Sequence, residues 1–148
     1  MDRPNAHVIW FEDMSRGDVA TVGGKNASIG ELVRNLAAKG IRTPTGFATT
    51  TSAYWAFIDA NALRPVLETA LDALASGEAS LQETGQRIRA AIAKSVWPAP
   101  LAREIREAYR ALAKRVGRDD PDVAVRSSAT AGSTSMSVTG KWPMMGSA

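Results

Sequence analysis

Two short stretches of the sequence carry residue types that can bind phosphate. The first reads GGKNAS and occupies residues 23–28, where two glycines and a lysine precede a segment with helical periodicity. Free N–H groups at a helix N-terminus attract anions, and the Lys25 ammonium adds a full positive charge. The stretch is not a Walker A loop, because Val19 and Asn26 stand where that motif needs a glycine and a Ser or Thr. The alternative is a plain turn with an exposed lysine. The candidate phosphate-binding residues are Gly23, Gly24 and Lys25.

The second stretch lies near the other end of the chain, at residues 122–130, and reads DVAVRSSAT. Val123 and Val125 alternate with Ala124 and Arg126, which predicts a short strand that ends at the arginine. An arginine beside several hydroxyl groups holds phosphate oxygens through its bidentate guanidinium. The alternative is a surface arginine in a loop rich in Ser and Thr. The candidate residues of this stretch are Arg126, Ser127 and Ser128.

Other kinds of catalytic or metal site find little support in the sequence. There is no cysteine, which removes disulfides, thiolate catalysis and cysteine metal ligands. His7 is the single histidine and has neither metal nor triad spacing. Asp119, Asp120 and Asp122 surround Pro121, a pattern that favours a turn over a magnesium site. We therefore assign no catalytic residue and no metal ligand.

The net charge of +3 and the pI near 9.6 raise the question of nucleic-acid binding. Four cationic residues at helical spacing would form a basic stripe, namely Arg103, Arg106, Arg110 and Lys114. Glu104 and Glu107 interrupt the stripe at spacings suited to local ion pairs. No aromatic residues interleave with it, as a single-strand binding surface would require. We expect a solvated helix face and no nucleic-acid partner.

The elements that position the two stretches form a helix-rich α+β pattern. The expected strands are residues 7–11, 47–49 and 123–126. The expected helices are residues 26–39, a helix after Thr50, one with Pro65 in its first turn, one from Ser80 to about Ser95, and residues 101–116.

Two expectations concern particular side chains of these elements. The helix after Thr50 is expected to bury Tyr54, Phe57 and Ile58. The tryptophans are expected to serve as core or partly buried packing residues, namely Trp10, Trp55 and Trp97.

The bulk composition is that of one globular domain. The chain has 148 residues, of which 45% are hydrophobic and 22% charged. It has neither an apolar run of about 18 residues nor the basic and apolar layout of a signal peptide. We expect a cytoplasmic protein that does not enter membranes.

In combination, these motifs resemble the sequence motifs of a known family. The sequence FEDMSRGDVATVGGKNASIGELVRNLAAKGIRTPTGFATT, followed downstream by VAVRSSATA, resembles the family of phosphoenolpyruvate synthase, pyruvate phosphate dikinase and the rifampin phosphotransferases. The wording at GGKNAS and PTGFATT fits phosphoenolpyruvate synthase best. The resemblance implies that residues 1–131 are the first subdomain of an incomplete ATP-grasp nucleotide-binding domain. It also implies that Lys25 and Arg126 contact ATP phosphates.

The activity that the resemblance implies is that of the complete family enzymes. They convert ATP, pyruvate and water into phosphoenolpyruvate, AMP and phosphate, with a histidine on a mobile domain as phosphoryl carrier. ATP is the implied ligand, with Mg²⁺ in the family, whose acidic ligands are missing here. Pyruvate is a partner of the full-length enzymes only. His7 does not match the family's phosphohistidine motif.

After Ala131 the sequence no longer resembles the family. The family continues with an acidic Glu-Asp-Leu-Pro segment, whereas this chain reads GSTS from residue 132. We expect residues 132–148 to be a disordered, non-homologous tail, for which a frameshift is one explanation. The chain is then an N-terminal fragment that binds ATP and has no turnover alone. The alternatives are a non-catalytic remnant that associates with an intact synthase, and a fragment of a related dikinase or antibiotic phosphotransferase.

Overall fold

The structure, a computed structural model, describes residues 6–130 and the backbone of residues 137–140. The predicted helix-rich α+β class is confirmed. The helices are α1 (Val19–Ala37), α2 (Thr51–Ala60), α3 (Arg64–Ala75), α4 (Leu81–Ala93) and α5 (Ala99–Val116). The strands are β1 (Val8–Trp10), β2 (Phe47–Thr49), β3 (Val123–Arg126) and β4 (Ser137–Gly140).

The strands β1 and β2 form an antiparallel pair beside the main apolar cluster. Ile9 lies opposite Ala48 in the register, and Trp10 lies opposite Phe47. The rings of Trp10 and Phe47 meet edge to face with 5.6 Å between centroids. The buried members of the cluster are Ile9, Met14, Val22, Ala27 and Ala48. Both predicted strands are thus confirmed, and they pack against the first helix.

The first helix begins earlier than the sequence pattern predicts. We expected it from Asn26, after a glycine break, but α1 starts at Val19. A 3-10 turn with a capping box formed by Ser15 and Asp18 precedes it. Gly23 has φ 81° and ψ 158°, so that the glycines kink the helix where we expected them to precede it. The error arose because a glycine that kinks a helix and one that precedes it look alike in a sequence.

The second helix buries Ile58 and partly buries Phe57, as expected, but it does not bury Tyr54. The Thr50 hydroxyl caps it by accepting a hydrogen bond from the Ala53 N–H at 3.2 Å. Its fully buried positions are Ala53 and Ile58. Tyr54 is 49% exposed, so its predicted burial is wrong.

Trp10 is partly buried as predicted, whereas Trp55 and Trp97 are more exposed than predicted. Trp55 is 43% exposed, and the Arg64 guanidinium lies 4.1 Å from its ring centroid. Trp97 is also exposed, and its ring is 5.0 Å from that of Phe57. Trp10 is partly buried, under the Arg115 guanidinium at 3.6 Å. Cationic and aromatic neighbours cover these rings in place of a closed core.

The helices α3 and α4 pack against each other as a hairpin. Pro65 lies in the first turn of α3, and Ser80 and Glu83 form a capping box at the start of α4, both as predicted. The fully buried positions of the pair are Ala70 and Thr84.

The helix α5 packs on α2 and β1 and starts two residues before its predicted boundary. Leu101, Ala108 and Leu112 are buried on one side of the helix, whereas Val116 at its end is 42% exposed. Gly117 ends the helix in the left-handed conformation.

The strand β3 has the bounds that the sequence predicts, but it has a partner that we did not expect. It pairs antiparallel with β4, with Val123 opposite Gly140 and Arg126 opposite Ser137. The strand β4 lies within residues 132–148, and at these four residues the expected disorder is wrong. The β-branched residues of its Ser-Val-Thr-Gly sequence favour an extended backbone. The remainder of the expected tail, and the boundary at residue 131, lie outside the described residues.

Within the described part of the chain, no helix is long and apolar enough to cross a membrane.

Candidate phosphate-binding site

The kink in α1 creates a second helix N-terminus inside the helix. Because Gly23 has non-helical dihedral angles, a new helical segment begins at Gly24. The Asn26 amide spans the kink by donating to the Val22 carbonyl at 2.8 Å, and the Ser28 hydroxyl donates to the Gly24 carbonyl at 2.8 Å. The first N–H groups of a helical segment lack acceptors within the segment, which makes them donors for an anion.

The residues that follow β3 lie directly against this kink. The Gly24 N–H donates to the Ala129 carbonyl at 3.2 Å. A Cβ atom on Gly23 would lie 2.2 Å from the Ser128 hydroxyl oxygen and 2.9 Å from the Ala129 carbonyl oxygen. Only glycine permits so close an approach, and its φ of 81° is also one that other residues rarely adopt. The structure therefore brings Gly23 into contact with Ser128 and Gly24 into contact with Ala129, which joins the two stretches.

Ser128 carries a polar atom that the fold leaves unsatisfied. Its hydroxyl oxygen is buried and has no hydrogen-bond partner within the described residues. Buried polar groups in native proteins nearly always have a partner, so such an orphan requires an explanation. A hydroxyl donor beside a glycine cradle and a helix N-terminus fits a phosphate oxygen. Ser127, in contrast, is exposed and already interacts with another group.

Lys25 and Arg126 are the cationic groups of the two stretches. Lys25 is partly buried in the first turn after the kink, and Arg126 is exposed at the end of β3. Among the described residues neither has an ion-pair partner, whereas Arg34, Arg64 and Arg115 each pair with a carboxylate. Two cations without carboxylate partners remain available for an anionic ligand.

The acidic turn before β3 is engaged by a tyrosine. The Tyr109 hydroxyl lies 2.9 Å from the Asp120 carboxylate and 2.8 Å from the Pro121 carbonyl, and can donate to either. Partial burial, with the Asp120 carboxylate as acceptor, raises the pKa of Tyr109 above its ordinary value. These contacts connect the middle of α5 to the segment that precedes β3.

The described residues do not fit a magnesium site. No group of three or more His, Asp or Glu side chains among them is placed to hold a metal ion. His7 lies in a different contact, with its Nδ1 atom 3.0 Å from the Glu104 carboxylate, where it links β1 to α5.

This contact also corrects the interpretation of the basic stripe on α5. Glu104 pairs with His7 and not with a neighbouring arginine. Glu107 forms no ion pair within the described residues either, so the expected local pairing is wrong. The four stripe residues are exposed, namely Arg103, Arg106, Arg110 and Lys114.

Comparison with known proteins identifies the family. The family described as "Pyruvate phosphate dikinase, AMP/ATP-binding domain" matches residues 19–142. The chain belongs to this family. The predicted family is therefore confirmed, and its description names the AMP/ATP binding that we expected. The match continues past residue 131, where we expected the resemblance to end.

Curated relatives agree with the family assignment. The chain is 45% identical over 126 residues to the phosphoenolpyruvate synthase of Neisseria meningitidis serogroup B, and 45% identical over 126 residues to that of Pseudomonas aeruginosa. It is 37% identical over 132 residues to the phosphoenolpyruvate synthase of Aquifex aeolicus. These matches cover 84%, 84% and 88% of the chain, but only 16%, 16% and 15% of the relatives. The chain thus spans about one sixth of the length of these relatives.

The residue that sequence reasoning missed is Ala129. Ala129 contributes a backbone carbonyl that accepts the hydrogen bond from Gly24. Every residue has such a carbonyl, so the residue type gives no signal for it. The one available signal was indirect, because adjacent glycines often mark a close approach of another backbone segment.

Proposed function

We propose that this chain supplies a phosphate-binding part of the ATP site of a phosphoenolpyruvate synthase. The observation that carries the proposal is the contact between Gly23-Gly24 and Ser128-Ala129, which joins the two candidate stretches at one helix N-terminus. The family's AMP/ATP-binding description supports the ligand, and the names of the relatives support the reaction. In this proposal the fold is the first subdomain of an ATP-grasp domain in a cytoplasmic enzyme.

Each cation has a distinct part in holding the nucleotide. The Lys25 ammonium acts as a point charge beside the helix N-terminus, and the Arg126 guanidinium donates two parallel hydrogen bonds to phosphate oxygens. Gly23 and Gly24 carry no side chain that would block the approach of the anion to the helix start. Phosphoryl transfer depends mainly on positioning and charge stabilisation, so the contribution of this chain is to bind and orient the phosphates.

Turnover requires more than these residues provide. The complete reaction converts ATP, pyruvate and water into phosphoenolpyruvate, AMP and phosphate. The stretch that matches the synthase of Neisseria meningitidis is 84% of this chain but only 16% of that relative, so the relative is several times longer than the chain. We therefore propose that the chain alone binds ATP weakly and does not turn it over, and that pyruvate binds only in full-length enzymes.

Isothermal titration calorimetry with ATP tests the assignment of the two cations. Each hydrogen bond to a charged group is worth about 1.5–3 kcal/mol, so Lys25→Ala and Arg126→Ala should each weaken ATP binding by about 10- to 100-fold. Lys39→Ala and Arg118→Ala remove the same charges elsewhere, the former about 20 Å along the α1 direction, and should leave the affinity unchanged. Equal affinity of Lys25→Ala and the unmodified chain would exclude the proposed site.

A second candidate function is association with an intact synthase as a non-catalytic module. It is favoured by large apolar side chains on the surface, among them Leu71 at 53%, Leu81 at 75% and Val96 at 76% exposure. Gel filtration with a full-length phosphoenolpyruvate synthase tests this candidate. Co-elution supports it, whereas a monomer that is stable to dilution and ignores the synthase refutes it.

A further inference from the structure

The proposed phosphate site already contains an acceptor from its own chain. In the described structure the Gly24 N–H, at the start of the helical segment after the kink, donates to the Ala129 carbonyl. The first N–H groups of a helix are the donors that bind an anion in sites of this kind. The Ala129 carbonyl oxygen therefore lies where a phosphate oxygen would bind Gly24.

The hydroxyl group of Ser128, next to this contact, is a hydrogen-bond donor that lacks an acceptor among the described residues. The Ser128 oxygen is buried against Gly23 and lacks a hydrogen-bond partner in the described part of the chain. Leaving such a group unpaired destabilises the free chain, and an alanine at this position would avoid the cost. A bound ligand that supplies an acceptor for the Ser128 hydroxyl would remove this cost.

We propose that Ser128 and Ala129 cover the helix N-terminus, and that a bound polyphosphate displaces the Ala129 carbonyl from Gly24 and accepts a hydrogen bond from the Ser128 hydroxyl. The inference rests on the proposed ATP site and adds a specific donor and a conformational step to it. Breaking one backbone hydrogen bond is the cost of binding. The new bonds from Ser128 and Gly24 to an anion exceed that cost, because hydrogen bonds to charged groups are the stronger ones.

Thr84 provides a matched control for the effect of a buried, unpaired hydroxyl. It is 4% exposed, its hydroxyl has no partner among the described residues, and it lies on α4 in the hairpin with α3. None of the candidate phosphate residues belongs to that hairpin. Removing the hydroxyl of Thr84 should therefore affect stability alone.

The test compares Ser128→Ala and Thr84→Val in the full chain. We expect both variants to unfold at a higher temperature than the unmodified chain in the absence of ligand, because each removes an unsatisfied polar group. Only Ser128→Ala should bind tripolyphosphate and ATP more weakly, by about tenfold for one lost bond to an anion. The use of tripolyphosphate, ATP and adenosine distinguishes recognition of the phosphates from recognition of the nucleoside.

The outcomes separate this inference from the function on which it rests. If Ser128→Ala binds ATP and tripolyphosphate normally while Lys25→Ala does not, the role of Ser128 is refuted and the ATP site stands. If Lys25→Ala also binds normally, the proposed function fails as well. Should Ser128→Ala lose both stability and affinity, its hydroxyl supports the fold, and the inference is wrong.

A second measurement, on the unmodified chain, follows the displacement directly. In ¹H–¹⁵N spectra, tripolyphosphate should shift the amide signal of Gly24, because its acceptor changes from a carbonyl to an anion. The signals of Gly77 and Gly117, which follow α3 and α5, should not move. A titration that shifts Lys25 but leaves Gly24 and Ser128 in place would overturn the displacement.

Discussion

Replacing Gly23 with alanine should strongly destabilise the chain. Two independent terms contribute. The φ of 81° with ψ of 158° is a conformation that costs a non-glycine residue about 1–3 kcal/mol. The added Cβ would also lie 2.2 Å from the Ser128 oxygen and 2.9 Å from the Ala129 carbonyl, an overpacking that costs a further 1–3 kcal/mol or so. Together these terms give an expected loss of about 2–6 kcal/mol of unfolding free energy.

The adjacent glycine gives a control of opposite sign. A Cβ on Gly24 would meet no atom within 4 Å, and Gly24 lies in the helical segment after the kink. Gly24→Ala should therefore stabilise the chain by about 0.5–1 kcal/mol. Urea unfolding followed by circular dichroism measures both changes.

A double variant separates the steric part from the backbone part. In Gly23→Ala/Ser128→Gly the Ser128 side chain is gone, while the unfavourable φ and the Ala129 contact remain. We expect part of the lost stability to return, with a coupling of about 0.5–3 kcal/mol between the two positions. If Gly23→Ala is as stable as the unmodified chain, or if its loss is unaffected by Ser128→Gly, the described contact between the kink and the end of β3 is incorrect.

Three further predictions concern the linker before α5, the start of α4 and catalysis. Asn61→Ala removes hydrogen bonds to both the N–H and the carbonyl of Val96, at 2.8 and 2.9 Å, and should lower the unfolding free energy by about 1–2 kcal/mol in urea titrations. Hydrogen bonds from the Ser80 hydroxyl and N–H hold the pKa of Glu83 below its ordinary value of 4.5. The advantage of the unmodified chain over Glu83→Gln should therefore be present above about pH 4.5 and disappear as the pH falls through the lowered pKa, as measured by thermal unfolding. The purified chain should release no phosphate from ATP in a coupled assay, and release that Lys25→Ala abolishes would contradict this.

Local signals in the sequence were sufficient for most of the secondary structure. The capping box of Ser80 and Glu83, the proline at position 65 and the valine alternation of β3 each fix an element within a few residues of their own position. Such features depend on neighbouring residues only, which explains why α3, α4, α5 and β3 were predicted with small boundary errors.

Features that depend on distant parts of the chain were not predictable in this way. The burial of Ala53 instead of Tyr54 depends on which neighbours α2 meets in space. The contact of Gly24 with Ala129 joins two backbone segments more than a hundred residues apart, and backbone groups carry no residue-specific signal. The types of Lys25 and Arg126 indicated phosphate binding, but only the fold brings Gly23 and Ser128 together.

The central claim is that ATP phosphates bind where the kink of α1 meets the end of β3. A crystal structure of the chain with a non-hydrolysable ATP analogue tests it most directly. The account predicts phosphate oxygens within hydrogen-bonding distance of the Lys25 ammonium, the Arg126 guanidinium and the Gly24 N–H. Phosphates bound elsewhere, such as along the exposed cations Arg103–Lys114 of α5, would contradict it.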